Sequence, residues 1–271
     1  MSKAKEKALI IYLVLASLLV GVPIFYAIFG AIRPGPAVTG SLWDLLPSGF
    51  SLEHFEDALR RAPLVQQMAN STIVTIAQTL AQVVTGVLAA YALVFGRLKR
   101  PNLIFWVFMV TMMIPGETIL VANYLTIRSW GLFDTLAAVF LPFMFAAYNV
   151  FLMRQAFMSF PKEIHEAASI DGCGPVRFLG KFLLPLTAPT VVTVSLMSAI
   201  AAWNGYLWPL IVSESASTRT VQVGIKALSD EAATDIGASL AGITFATIPM
   251  IILVIIGQKF LVRGLTQGAG K

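Results

Sequence analysis

The chain has 271 residues, of which 57% are hydrophobic and only 12% are charged. Because about a quarter of the residues in soluble domains are charged, this composition excludes an ordinary soluble protein and predicts a membrane protein. The single cysteine, Cys173, excludes an internal disulfide framework.

Six apolar stretches are long enough, or nearly so, to cross a bilayer, which requires about 20 residues. They predict an all-α, polytopic membrane protein with six transmembrane helices in a single domain that covers residues 1–271. The first stretch exceeds the apolar core of a cleavable signal peptide and is interpreted as a retained helix. The predicted spans are residues 8–32, 71–96, 103–127, 135–158, 183–212 and 237–258.

The distribution of Lys and Arg predicts the orientation of these spans. Thirteen of the 19 basic residues lie on one side of the predicted bundle and six on the other. Because cytoplasmic loops are enriched in Lys and Arg, both termini and the segments 97–102 and 154–181 are predicted to be cytoplasmic. The net charge of +5 therefore reflects topology, and no nucleic-acid partner is predicted.

Two segments are predicted on the outer side. Residues 51–61 place Leu52, Phe55 and Leu59 at helical spacing, which is typical of a short amphipathic helix. Residues 213–235 are rich in Ser, Thr and Ala, and are predicted to form a loop between spans five and six.

Span three contains the first candidate solute-pathway residues. Glu117 follows Pro115, and Asn123 and Tyr124 lie further along the same predicted span. Polar residues inside a membrane are costly and are functional candidates by default. A carboxylate that reaches the outer surface, or one that pairs with another helix, is the alternative for Glu117.

Residues 160–182, between spans four and five, are predicted to form a cytoplasmic helix–turn–helix. Ser159 is a candidate helix cap, and Pro161 a candidate first helical residue, where its missing N–H costs little. Asp171 and Gly172 end the predicted helix, because glycine readily adopts the left-handed conformation found there.

The same loop is either a solvated connector or a docking site for a partner. Pro175 is predicted to open a second short helix. Ala167 and Ala168 would allow another backbone to approach closely, and Glu166 offers a carboxylate to a partner. Periodicity and capping alone favour the connector.

Span five contains a second group of candidate pathway residues. Two indoles, a phenol and an amide would suit a polar, hydroxylated solute. Trp and Tyr also favour the headgroup level of a bilayer, so an interfacial aromatic belt remains an equal alternative. The residues are Trp203, Asn204, Tyr206 and Trp208.

The loop resembles the EAA loop of ABC importer permeases. Glu166-Ala167-Ala168 is followed after three residues by Gly172 and later by Leu184-Pro185-Leu186, and Cys173 stands where relatives often have alanine. The whole chain is similar to the maltose-type permease subunit of carbohydrate importers. Residues 203–210 and 219–226 most resemble the glycerol-3-phosphate/glycerophosphodiester permease branch.

This resemblance implies a type I ABC importer permease fold and a multi-pass protein of the cell membrane. It implies a homologous second permease, two ATPase subunits that bind ATP and magnesium, and an extracytoplasmic solute-binding protein. The C-terminal tail, residues 259–271, would reach between the ATPase subunits. The implied docking residues are Glu163, Glu166, Ala167, Ala168, Asp171, Gly172 and Pro185.

The resemblance also implies a solute, glycerol 3-phosphate or a glycerophosphodiester. A neutral sugar or oligosaccharide is the alternative within the same importer role. An ion-coupled secondary transporter and a purely structural membrane protein are alternatives of other classes. The first would need paired intramembrane ionisable residues, often within an internal repeat, and neither is visible in the sequence.

No catalytic constellation is predicted, so the chain is not expected to be an enzyme or to bind a cofactor or metal. An ATP-binding loop requires Gly-x4-Gly-Lys followed by Ser or Thr. The nearest match, Gly174 to Gly180-Lys181, has one residue too many and continues with Phe182. His54 and His165 are predicted on opposite sides of the membrane and cannot form a metal pair.

Overall fold

The computed structural model describes residues 3–35, 49–231 and 236–266, and within these ranges the regular structure is entirely helical. Short 3₁₀ turns at Gly116–Ile119 and Leu141–Phe143 and a π turn at Leu179–Leu183 join some of the helices. The α-helices are α1 (Lys3–Ile32), α2 (Glu53–Arg61), α3 (Leu64–Phe95), α4 (Pro101–Thr111), α5 (Leu120–Ser129), α6 (Leu136–Phe140), α7 (Ala147–Met158), α8 (Lys162–Ile170), α9 (Pro175–Phe178), α10 (Leu184–Leu186), α11 (Ala188–Trp203), α12 (Leu207–Val212), α13 (Val221–Glu231) and α14 (Ile236–Thr266).

Three continuous helices, α1, α3 and α14, are long and apolar enough to cross a membrane. Three further spans are bent pairs rather than the single helices that the sequence predicts. The pairs Pro101–Thr111 with Gly116–Ser129, Leu136–Phe143 with Ala147–Met158, and Pro175–Leu186 with Ala188–Trp203 bend by 86°, 48° and 84°. Counting each pair as one span gives the six spans that the sequence predicts.

The breaks occur beside prolines, and side chains bond some of the carbonyl groups at or near them. At the break after Pro142, Gln82 Nε2 donates to the Phe143 carbonyl at 2.7 Å and Thr85 Oγ1 donates to the Met144 carbonyl at 3.0 Å. At the Thr187 break, the threonine hydroxyl donates to the Leu183 carbonyl at 2.7 Å. Such replacement bonds explain how a membrane helix tolerates proline.

The chain divides into two compact units, and the first comprises residues 1–66 and 223–248. Its described core contains Ala31, Ala58, Leu228 and Ala241, all almost fully buried. Small residues allow these helices to approach closely, as is common in membrane proteins. At Gly237, an added Cβ would lie 2.2 Å from the His54 ring.

The predicted amphipathic helix is confirmed as α2. His54 and Ala58 are buried, whereas the side chains of Leu52 and Leu59 are 51% and 46% exposed. Phe55 packs against the core of this unit, and the His54 ring lies against Gly237.

The outer segment 213–235 was predicted as a loop, and this prediction is wrong for residues 221–231, which form α13. Val221, Gly224 and Leu228 lie on its buried side, at the i, i+3, i+7 spacing of a helix. Its polar, Ser- and Ala-containing composition obscured this periodicity in the sequence. Residues 232–235 lie outside the described part of the chain.

The second unit comprises residues 67–222 and 249–271, and its described residues form three apolar clusters. One surrounds Val74, Ile127 and Val212, and another surrounds Leu93, Phe105 and Val150. The third, which includes Phe157 and Phe178, lies beneath α8. All the candidate functional residues named from the sequence belong to this unit.

Candidate functional site

Helix α8 ends where the sequence predicts. Gly172 has φ +69°, in the left-handed region, and its N–H donates to the Ser169 carbonyl at 3.1 Å. The Cys173 N–H donates to the Ala168 carbonyl at 2.9 Å and so bonds another free carbonyl. A side chain at Gly172 would be strained, so this glycine fixes the direction in which the chain leaves α8.

The predicted start of α8 requires a correction. Pro161 precedes the first helical residue, Lys162, and no side chain caps the helix. The Ser159 hydroxyl donates backwards, to the carbonyls of Gln155 and Ala156 at 3.1 and 2.9 Å. Ser159 therefore stabilises the end of α7 rather than the start of α8.

The two sides of α8 differ in exposure. Ala168 is 6% exposed and belongs to the core, with Ile164 and His165 half-buried beside it. Ala168 is therefore not available to a partner, whereas Ala167 is exposed. The exposed residues of α8 are Lys162, Glu163, Glu166, Ala167, Ser169 and Ile170.

An aromatic cluster lies beneath α8; we define it as Phe95, Phe160, His165 and Phe178. The His165 ring centroid is 4.9 Å from that of Phe95, at the end of α3, and 4.8 Å from that of Phe178. Phe160 meets Phe178 edge-on at 5.7 Å. These distances are within the range of favourable aromatic pairs, so the cluster attaches α8 to α3 and to the chain entering span five.

The segment after α8 begins with the predicted second short helix, α9, at Pro175. Phe178 is buried, whereas the Val176 side chain is 84% exposed; Ile170, at the end of α8, is 86% exposed. Pro185 is exposed within α10, just before the 84° bend. The loop thus presents two isolated apolar side chains together with carboxylates to its surroundings.

The candidate residues of span five differ in burial and in their contacts. Trp208 is buried, and its Nε1–H donates to the Ala138 carbonyl at 3.0 Å, so it anchors α12 to α6 and is a core residue. Asn204 is exposed and bonds within its own helix, and Tyr206 is half-buried. The buried Trp203 indole N–H has no partner among the described residues.

The candidate residues of span three lie around the break before α5. Glu117 is exposed in the 3₁₀ turn, and Asn123 and Tyr124 are half-buried on α5. The sequence analysis did not single out Arg128, yet its Nη1 donates to the Tyr124 hydroxyl at 3.0 Å. In the sequence, the only sign of this contact is that Arg128 follows Tyr124 by four residues, the spacing of neighbours on one face of a helix.

Two polar side chains, those of Asn70 and Asp134, hold the outer segment 213–220 in place. Asn70 Nδ2 donates to the carbonyls of Ser217 and Arg219 at 2.7 and 3.0 Å. Asp134 Oδ1 accepts from the main-chain N–H groups of Glu214 and Ser215 at 2.8 and 3.0 Å, and from the Thr218 hydroxyl.

The carboxylate of Asp134 is stabilised in its charged form. The hydrogen bond from the Thr218 hydroxyl is the main cause, and the N–H donors of Ser215 and Glu214 add to it, so that the pKa falls from 3.8 to about 2 although desolvation opposes the shift. Asp134 also has φ +58°, an uncommon conformation for a residue other than glycine.

The helical fold, with three continuous helices and three bent pairs that could cross a membrane, is that of a polytopic membrane protein. Comparison with known proteins identifies its family. Residues 82–267, more than half of the chain, match the family described as "Binding-protein-dependent transport system inner membrane component". The chain therefore belongs to this family, whose members are the non-catalytic membrane subunits of ABC importers.

The particular relatives carry a more specific name. The chain is 30% identical to the sn-glycerol-3-phosphate transport system permease protein UgpE of Brucella suis biovar 1 (strain 1330), over 94% of each chain. It is 31% identical to the protein of that name from Agrobacterium fabrum (strain C58 / ATCC 33970), over 94% of each, and 30% identical to that from Escherichia coli O157:H7, over 90% of each.

A solved structure supports the assignment to this family. A chain of a bacterial ABC transporter involved in the import of the acidic polysaccharide alginate superposes with a TM-score of 0.81 at 25% identity. The superposition covers 96% of this chain and 98% of the other. The protein is thus a multi-pass inner-membrane component with six spans and both termini in the cytoplasm, as the sequence predicts.

We expect Asp134→Asn to loosen the outer segment. The folded pKa of Asp134 lies below its unfolded value, so the carboxylate contributes its stability above about pH 4 and loses it as the pH falls towards 2. At pH 6 the variant should be less stable by about 1 kcal/mol, which lowers the thermal midpoint by about 2–4 °C. Thermal unfolding of the detergent-purified wild type and variant at pH 6 and pH 2 measures the midpoint of unfolding under each condition.

At pH 2, close to the folded pKa of Asp134, the wild type and Asp134→Asn should differ in unfolding temperature much less than at pH 6. Asp230→Asn is the matched control, because Asp230 forms an exposed pair with Lys226 and such pairs contribute little. An equal difference between wild type and Asp134→Asn at both pH values would contradict the role given to the charge.

Proposed function

We propose that this protein is one of two permease subunits of an ATP-driven importer and that α8 couples it to an ATPase. The imported solute is a small phosphate-bearing compound, sn-glycerol 3-phosphate or a glycerophosphodiester. The observation that carries the coupling role is the two-sided character of α8, whose outward side is charged and accessible while its inward side rests on the aromatic cluster.

The outward side of α8 has the chemistry of a docking surface. The exposed carboxylates of Glu163 and Glu166 suit arginine or main-chain N–H groups of a partner. The almost fully exposed Ile170 and Val176 would each contribute about 1.5–3 kcal/mol if a partner buried them completely.

The inward side gives the docked helix a connection to the spans. When the ATPase subunits close on ATP, a shift of α8 would carry His165 against Phe95, at the end of α3, and Phe178, before span five. Closely packed rings resist independent movement because interiors are dense and give way little. Gly172 would set the direction in which α8 is presented to the ATPase.

The solute class follows from the relatives and from charge. The relatives named above are sn-glycerol-3-phosphate permeases, and the superposed structure belongs to an importer of an acidic polysaccharide. Both solutes are anions. Arg219 and Lys226, predicted on the outer side, would help to attract an anion. A neutral sugar or oligosaccharide is the second candidate, since carbohydrate permeases share the Trp-Asn and Leu-Trp-Pro sequences seen at residues 203–209.

The partners follow from this role. Two ATPase subunits would supply ATP and magnesium binding, and a solute-binding protein would deliver the solute from outside. A homologous second permease would complete the pathway. None of the most apolar stretch of α1 is buried within this chain, so this helix is available to the second permease and to lipid.

We expect Glu166→Lys to abolish most transport while leaving membrane insertion and folding intact. The substitution reverses the charge at the centre of the outward side of α8 without touching the core. Uptake in vesicles that contain the complete importer and ATP should fall at least tenfold, because the charge-assisted contact becomes repulsive. Gly172→Leu should have a similar effect, since leucine is strained at φ +69°.

The control for charge reversal is Glu6→Lys, an exposed acid on α1 that is also predicted to be cytoplasmic. It should transport at the rate of the wild type. Normal uptake by Glu166→Lys in the same vesicles would exclude the docking role of α8.

The solute prediction is tested by the binding protein that works with this permease. Calorimetric titration should show binding of sn-glycerol 3-phosphate or a glycerophosphodiester at least a hundredfold tighter than binding of neutral disaccharides. A preference for an uncharged disaccharide would favour the alternative solute and leave the coupling proposal untouched.

A further inference from the structure

One side of α5 and the turn before it carries polar groups outward. Arg128 lies four residues after Tyr124, and the two share a helix face. Glu117, seven residues before Tyr124, falls close to the same face and is exposed. The opposite side, with Leu120 and Ile127, packs into an apolar cluster.

The guanidinium of Arg128 is held in place by three contacts. Its Nη1 donates to the Tyr124 hydroxyl at 3.0 Å. Its Cζ lies 5.1 Å from the ring centroid of Phe133 and 5.7 Å from that of Tyr124, both within cation–π range. The two rings meet edge-on at 5.9 Å. We name Arg128, Tyr124 and Phe133 the α5 cationic site.

The held guanidinium keeps free hydrogen-bonding capacity. Among the residues that the structure describes, no carboxylate forms an ion pair with Arg128. An arginine has five N–H donors in a planar fork, of which the Tyr124 hydroxyl takes one. This arrangement resembles a prepared anion site, because a fixed fork loses less conformational freedom when an oxyanion binds.

The position of the α5 cationic site points to the solute pathway. Charged side chains in membrane segments face the bundle interior or a water-filled cavity far more often than they face lipid. Arg128 and Glu117 lie at opposite ends of the α5 region, about 16 Å apart along the chain at 1.5 Å per residue. Arg128 is at the end next to the outer loop.

We propose that the α5 cationic site recognises the phosphate group of the imported solute at the outer end of the pathway. The Arg128 guanidinium binds two phosphate oxygens. The Tyr124 hydroxyl and the Phe133 ring hold the guanidinium in the orientation that this contact needs. This inference rests on the phosphate-bearing solute of the proposed function. In this proposal Arg128 determines which solute is imported, and does not only stabilise the end of α5 with its charge.

Two other roles of Arg128 require only a positive charge. A cation in the last turn of α5 interacts favourably with the helix dipole. A basic side chain near the membrane surface also attracts the phosphate of a lipid headgroup. Lysine would serve the dipole as well as arginine does, whereas the two-oxygen contact to phosphate needs the guanidinium fork.

The test uses the complete importer, with its ATPase subunits, second permease and binding protein, reconstituted in vesicles. The probe is sn-glycerol 3-phosphate at saturating binding protein, and the readout is uptake per ATP hydrolysed. The variants are R128Q, R128K, Y124F and F133L. The matched control is R60Q, because Arg60 is an exposed arginine, predicted on the outer side, without an aromatic support. Each variant is first shown to assemble with its partners in normal proportion.

A lipid arm separates the two sources of phosphate. The same importers are reconstituted in vesicles of digalactosyldiacylglycerol, which contains no phosphate. In both kinds of vesicle, R128Q should lower uptake per ATP at least tenfold relative to the wild type. R128K should recover part of the lost uptake per ATP. Y124F and F133L should lower uptake per ATP about two- to fivefold, and R60Q should stay within twofold of the wild type.

Three results would overturn the inference. If R128Q or R128K takes up the solute at the rate of the wild type, transport does not require the planar guanidinium of Arg128. A fall of the wild type to the R128Q rate in galactolipid vesicles would assign Arg128 to lipid phosphate. If the wild type imports neutral sugar but not sn-glycerol 3-phosphate, both the proposed solute and the inference fail. If both the wild type and R128Q import sn-glycerol 3-phosphate, only the inference fails.

Discussion

The aromatic cluster beneath α8 is the contact on which the coupling account depends. Phe95, His165 and Phe178 come from three separate parts of the chain, and their ring centroids are 4.8–5.6 Å apart. Without it, a nine-residue helix would have too few internal hydrogen bonds to keep a fixed orientation, since isolated helices of this length are marginal in water. Tertiary packing therefore makes α8 a rigid projection, as the proposed coupling role requires.

A second constraint shapes the rest of the second unit: lipid cannot bond the backbone groups that are freed where a helix breaks. Gln82 and Thr85 on α3 bond carbonyls of residues at the break between α6 and α7, and Trp208 bonds a carbonyl of α6. These polar side chains bond carbonyl groups at or near the break where the chain bends by 48°. The bends in turn place α5 across the line of α4, where its polar side can face a pathway.

The sequence predicted the features that depend on local chemistry. Span number, orientation, the end of α8 at Gly172 and the start of α9 at Pro175 follow from hydropathy, charge and backbone preference. It could not predict features set by tertiary contact. Hydropathy does not show an 86° bend, and Ala168 and Trp208 are buried by neighbours distant in the chain. The support of Arg128 by Phe133 requires the turn after α5, which no periodicity reveals.

The most direct measurement of the central claim is cross-linking from α8 in the assembled importer. Cys173 is the single cysteine, so Cys173→Ser gives a background for Ile170→Cys, with Leu59→Cys on α2 as the control. A short thiol–amine reagent should join Ile170→Cys to an ATPase subunit and leave Leu59→Cys free of that adduct. An importer in which Ile170→Cys reaches no ATPase subunit, or in which both positions react with it equally, would contradict the account.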